Sequence, residues 1–151
     1  MARRRADGFR EVLEAIENRL TPHHARSHLG GEGFPRPKRT PMTDTIEVTT
    51  TTATREEAQR IAVALVEHRL AACAQVQGPL TSTYWWQGKI ETADEWRCVA
   101  KTRVQLFNQV EVAIRQLHSY QTPEILAVRV EAGSAAYLQW MQDALTTPNG
   151  G

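Results

Sequence analysis

From Met42 onward the spacing of apolar positions changes period several times, and each change marks an element. T-I-E-V-T-T-T, beginning at Thr45, is a β-branched run of strand type. Thr54 then opens T-R-E-E, a capping box with Glu57 at its third helical position. Ala58, Ile61, Ala62, Leu65 and Val66 trace the stripe of a helix ending near Arg69. L-A-A-C-A-Q-V-Q-G-P-L-T-S-T-Y-W-W is long for one strand, and Gly78-Pro79 in its middle marks a bulge or bend. Gln87-Gly88 makes a two-residue hairpin loop, with glycine suited to a positive φ and glutamine less so. The return strand places Trp96, Cys98 and Ala100 on one face and Glu95, Arg97, Val99 and Lys101 on the other. Phe107, Val110, Ala113, Ile114 and Leu117 repeat at helical spacing between Val104 and His118, and Pro123 bars continuation. E-I-L-A-V-R-V reads as a fourth strand, and Ser134 caps a last helix carrying Tyr137, Trp140, Met141 and Leu145.

The order β-α-β-β-α-β with a further C-terminal helix is the split βαβ pattern of ferredoxin-like α+β domains. A four-stranded antiparallel sheet with two helices on one face is expected. Tyr84, Trp85 and Trp86 then pose a problem, because adjacent strand residues point to opposite faces. Trp86 shares a face with Tyr84, Ser82 and Leu80, while Trp85 shares the other with Thr83 and Thr81. Only one ring can face the chain's own core. Two helices leave the other sheet face bare, and a monomer rarely exposes such an aromatic patch. The expectation is an interface between subunits at Trp85 or Trp86, since interfaces favour Trp and Tyr; cover of Trp85 by the chain's own last helix is the alternative.

Residues 1–41 follow no such plan. Phe9, Val12, Leu13, Ile16 and Leu20 suggest a short helix ended by Pro22, and the Gly/Pro-rich, cationic stretch behind it reads as a flexible linker. The folded domain is therefore expected over 42–151, with 1–41 as an appendage. That appendage holds nine Lys/Arg against five Asp/Glu (net +4), while 42–151 holds nine against twelve (net −3). A mildly acidic domain argues against a nucleic-acid partner, which demands a basic face. No run approaches the ~20 apolar residues of a membrane helix, and no apolar stretch follows the basic start as in a signal peptide. The reading is a soluble, cytoplasmic protein with no membrane partner.

Candidate chemistry is sparse. Cys73 and Cys98 are the two cysteines, too few for a disulfide framework. Cys73 is the strongest metal candidate, because a soft thiolate selects copper and zinc, with a small buried hydrophobe as the equal alternative; Cys98, alternating with Trp96 and Ala100, reads as core. His118 ends the second helix, where an imidazole can ligate a metal or simply favour the helix C-terminus. Glu124, after Pro123, is the acidic residue near His118 and Tyr120. Lys101, Glu95 and Arg97 share a strand face that lines a cleft or is merely solvated. His23, His24 and His28 lie in the appendage and read as solvated. No nucleophile elbow, zinc-protease helix or phosphate-cradling loop is present, so no enzyme is indicated.

R-L-A-A-C-A-Q-V, T-S-T-Y-W-W-Q-G-K-I-E, the Lys101-Thr102 pair and H-S-Y-Q-T-P-E-I, in that order and spacing, resemble the CutA family of divalent-cation tolerance proteins. The resemblance spans about Thr45 to Leu145. It implies a ferredoxin-like protomer in a homotrimer whose long hairpins wrap onto neighbours, which would place Trp85 or Trp86 against another chain. It also implies copper or another divalent cation as ligand, at Cys73, His118 and Glu124, and no organic cofactor. The alternative it leaves open is a regulatory trimer that binds a small effector between subunits, with Tyr84, Lys101 and Tyr120 as cleft walls. Family members usually carry Tyr-Glu where this chain has Tyr120-Gln121, and a neutral amide is a weaker ligand for a divalent ion.

Overall fold

In the computed structural model the described residues are 43–146, so the expectations for 1–41 lie outside them. The elements run β1 (Thr45–Thr52), α1 (Arg55–Glu67), β2 (Cys73–Trp86), β3 (Lys89–Arg103), a 3-10 turn (Val104–Leu106), α2 (Phe107–Leu117), β4 (Leu126–Arg129) and α3 (Ala135–Leu145). Every strand pairing is antiparallel, and the sheet order is β2-β3-β1-β4. None of the described helices is long and apolar enough to cross a membrane.

Alternation along the strands decides which side of the sheet is dry. Ile46 and Val48 of β1 and Cys98 and Ala100 of β3 point to one face, where Ala58, Ile61, Ala62 and Leu65 of α1 and Val110 and Ile114 of α2 close over them. Burying a side chain such as Ile61, Leu65 or Ile114 contributes about 1.5–3 kcal/mol each. Val66 of the expected stripe falls at its rim and is exposed. The opposite, open face carries Glu47, Thr49 and Thr51 of β1, the odd-numbered residues of β3, and Cys73 and Gln75 opposite Lys101 and Val99. β4 is a short edge strand, exposed along its whole length and shorter than its apolar run suggested.

The cap of α1 forms only in part as a reciprocal box. Thr54 Oγ1 accepts the Glu57 N–H at 3.2 Å, but the Glu57 carboxylate turns elsewhere, as shown below. Ser134 Oγ accepts the Tyr137 N–H to start α3. On α3 only Met141 and Leu145 of the expected face are buried, against Ala72, whereas Tyr137 and Trp140 stay half exposed, stacked on each other at 5.3 Å.

β2 and β3 are far longer than the helices that cover them. Fourteen residues of strand extend about 46 Å, whereas the thirteen residues of α1 cover about 20 Å. The ladder shifts register between Gln77 and Leu80, at the expected bulge, and runs on to Trp86↔Lys89. Gln87 and Gly88 both take positive φ, 47° and 77°, the type I′ geometry that suits the strand twist. This length corrects the expectation that one tryptophan faces the core. Trp85 pairs with Ile90 at the tip, past the helix layer, and the two are 72% and 63% exposed; Trp86, on the other face, is 57% exposed. Neither the core nor α3 covers either ring.

At the bulge the Trp96 ring lies against Gly78, with the Arg55 guanidinium 5.6 Å from its centroid on the cation–π side. A Cβ on Gly78 would sit 2.8 Å from Trp96 Cε3 and 3.0 Å from the Glu95 carbonyl oxygen. Gly78→Ala should therefore displace the ring and lower stability by about 1–3 kcal/mol in urea unfolding; an unchanged midpoint would show that the bulge has slack.

Candidate functional site

The segment after α2 is the joint between the two sheet faces. α2 stops at His118, whose N–H still bonds back to Ile114 O, and Pro123 keeps the following residues from becoming helical. His118 turns inward, its side chain fully buried. Its Nε2–H donates to the Thr51 carbonyl oxygen at 2.8 Å, so Nδ1 is left to accept the Tyr120 N–H at 3.1 Å, with Glu57 Oε1 3.4 Å away. The Glu57 carboxylate accepts the Ser119 N–H at 2.6 Å and the Ser119 hydroxyl at 2.9 Å. A carboxylate only 4% exposed is thus satisfied by the loop and not by its own helix end. Sequence spacing marked Glu57 as a capping residue and could not reveal this longer-range bond.

Beyond that anchor the loop reaches the open face. The Tyr120 hydroxyl donates to Glu95 Oε1 at 3.4 Å, and Thr51 Oγ1 donates to Glu124 Oε2 at 3.1 Å. Desolvation, then the nearby Glu95 charge and its hydrogen bond, then Tyr84, raise the Tyr120 phenol above its ordinary value. Glu95, expected on a solvated or cleft-lining face, is only 7% exposed. Tyr84 projects from β2 on the same face.

Cys73 stands elsewhere. Its Sγ lies 3.9 Å from the Tyr137 hydroxyl of α3, and it sits directly opposite Lys101, whose Nζ donates to Gln75 Oε1 at 2.9 Å. The Tyr137 phenol is raised by burial and by Cys73, with Lys101 pulling the other way. Lys101 and Arg97, which faces Thr51 across the ladder, are four positions apart, about 13 Å at 3.3 Å per residue. The structure therefore brings His118, Tyr120 and Glu124 into one loop and keeps Cys73 and Lys101 at a separate place. Among the described residues, no three His, Cys, Asp or Glu side chains converge as a metal-binding group. The single-chain donor set at Cys73 is one thiol with a phenol beside it.

Comparison with known proteins fits this geometry. The sequence profile of the CutA1 divalent ion tolerance protein matches residues 46–144. The chain belongs to the CutA1 divalent ion tolerance family. It is 42% identical over 90 residues to the divalent-cation tolerance protein CutA of Archaeoglobus fulgidus, covering 60% of this chain and 87% of that one. The corresponding CutA of Thermus thermophilus is 39% identical over 93 residues, covering 62% and 90%. Among solved structures, CutA from Xylella fastidiosa superposes with a TM-score of 0.67 at 36% identity, over 69% of this chain and all of that one. The solved Archaeoglobus fulgidus CutA, described as a periplasmic divalent cation tolerance protein, gives 0.66 at 38% identity, over 68% and 99%. The CutA1 match coincides with the folded unit described above, from the first strand to the last helix.

The two thiols of this CutA1 domain differ in a way that can be measured. Burial pushes the Cys98 thiol up to about 11, from 9.0. A pKa raised by folding stabilises the native state below the unfolded value and is lost as pH rises through the folded one. Unfolding free energy should fall between pH 9 and about 11 by a contribution on the order of 2–3 kcal/mol. Cys98→Ala should remove this part of the alkaline slope, and at pH 8 iodoacetamide should alkylate Cys73 in the native protein and leave Cys98 unmodified; equal labelling of both would contradict the assignment.

Proposed function

We propose that this protein binds copper or another divalent cation as a cytoplasmic homotrimer of ferredoxin-like protomers, and that Cys73 is its first point of contact with the metal. It acts by binding, without an organic cofactor and without catalysing a reaction. The relatives' names speak of divalent-cation tolerance, and the observation that carries the reading here is the contrast between the thiols. Cys98 is sealed under α1, whereas Cys73 is partly exposed beside Tyr137 and Lys101. A soft thiolate at an accessible position is the donor that distinguishes copper and zinc from harder ions.

His118 and Glu124, the other expected donors, are engaged within the chain by Thr51, Tyr120 and the neighbourhood of Glu57. In this reading the donors that complete the coordination of a Cys73-bound ion come from other copies. The exposed Trp85, Trp86 and Ile90 support the assembly, since single chains rarely leave such a tip in water. A second reading, an effector held between subunits in a cleft walled by Tyr84 and Tyr120 of one chain and Lys101 of another, is favoured by the bond between Tyr120 and the buried Glu95.

Native mass spectrometry of the full chain, metal-free and then with stoichiometric copper, tests the proposal. The assembly should gain a whole number of ions and Cys73→Ala should gain none; uptake by the variant equal to the parent's would remove Cys73 from the site. Trp85→Ala and Trp86→Ala should each shift the protein toward monomers or aggregates, at about 3–5 kcal/mol per buried ring lost. Because neither ring packs in the chain's own core, far-ultraviolet circular dichroism should show the protomer fold intact in both; a collapsed spectrum would mean the rings serve the fold and not the interface.

A further inference from the structure

Glu95 is the carboxylate in the fold with the least explanation. It lies on the open face of β3, opposite Leu80, and is 7% exposed. Buried charges in proteins are paired, because an uncompensated one costs several kcal/mol. Glu57, the other buried carboxylate of the described residues, has two hydrogen bonds from Ser119 and an imidazole beside it. Glu95 has one bond, 3.4 Å long, from the neutral Tyr120 hydroxyl. Among the described residues no Lys, Arg or His lies within 4.0 Å of it. Arg97, two positions along the same face, is exposed, and Lys101 is held by Gln75.

The surroundings narrow what would pair with it. Tyr84 shares the face with Glu95, and its phenol is among the groups that raise the Tyr120 phenol. Both tyrosines are about two-fifths exposed, Tyr84 at 41% and Tyr120 at 38%. A single buried carboxylate with one phenol bonded to it and a second phenol farther along the same face is a poor cage for a hard divalent ion, which takes six or more oxygen ligands. It is well suited to an ammonium or guanidinium group, which needs one charge-assisted bond and aromatic faces for the rest of its surface.

We propose that Glu95 anchors a subsite for an organic cation, an ammonium or guanidinium group, walled by Tyr84 and Tyr120. The inference supplies a ligand class for the cleft reading and rests on it; it is independent of the Cys73 thiol. The cation has two sources, a free amine or a Lys or Arg of a second copy of the chain, and both present the same chemistry to the carboxylate.

Agmatine, which carries one ammonium and one guanidinium end, is the probe. It is titrated into the full-length protein while the ring signals of labelled tyrosines are followed by nuclear magnetic resonance. Glu95→Gln keeps the shape and the acceptor for Tyr120 but removes the charge, so the fold should survive. The expected result is a saturable shift of the Tyr84 and Tyr120 signals, weakened at least tenfold in Glu95→Gln and unchanged in Cys73→Ala. No agmatine binding, together with loss of assembly mass in Glu95→Gln, would also support the subsite and assign the cation to a second copy. Binding unchanged in Glu95→Gln but lost in Tyr84→Leu would keep the cleft and overturn the anchor. If neither agmatine binding nor assembly depends on Glu95, the proposal fails. A Glu95-dependent response to magnesium or zinc without one to agmatine would likewise overturn it, in favour of a metal.

Discussion

A mismatch of length governs this molecule. A strand advances about 3.3 Å per residue and a helix 1.5 Å, so helices of eleven to thirteen residues cannot roof a hairpin with strands of fourteen and fifteen. The core closes where α1 and α2 meet Ile46, Val48, Cys98 and Ala100. Past the bulge at Gly78 the ladder continues with Thr81–Asp94 and Thr83–Thr92 hydrogen bonds on the outer part of the helix-side face. The hairpin tip ends in Trp85, Trp86 and Ile90, all exposed in the single chain. Surface of that kind is rarely left in water, and none of the described residues covers it.

The second organising feature is the loop from His118 to Glu124. Its inner half is fixed by Glu57, Ser119 and the Thr51 carbonyl, and its outer half presents Tyr120 and Glu124 to the open face. The buried anchor and the exposed residues are adjacent in sequence, so their relative position is set by few torsions. That arrangement lets a helix on one side of the sheet determine where a phenol stands on the other. Cys73 belongs to a different locality, governed by the start of β2 and by α3. Any account in which Cys73 and His118 act on one ion has to draw them from different chains or move one of them.

The order of elements was legible because hydrophobic period, the Thr54 and Ser134 caps and the Gln87-Gly88 turn agree with one another. Gly78-Pro79 was legible as a bulge because neither residue suits a continuous ladder. Burial on the outer faces was not. Tyr137 and Trp140 lie on an apolar helix stripe, yet sheet and helix meet only at Met141 and Leu145, because α3 bears on Ala72 at the margin of the sheet. Glu95 alternates with core residues and so reads as facing solvent, but Tyr120 folds back toward it from a distant loop. Glu57 satisfies a capping rule locally and spends its carboxylate 62 positions away. Period and propensity are local signals, and the loop contacts that define the candidate sites are not.

In the proposed trimer other copies of this chain cover the hairpin tip, and sedimentation equilibrium of the unmodified, metal-free protein reads that cover without any variant. A single species of three times the 17.0 kDa chain mass, with blue-shifted tryptophan emission, is expected down to low protein concentration. A stable 17.0 kDa species whose tryptophans emit as in water would contradict it.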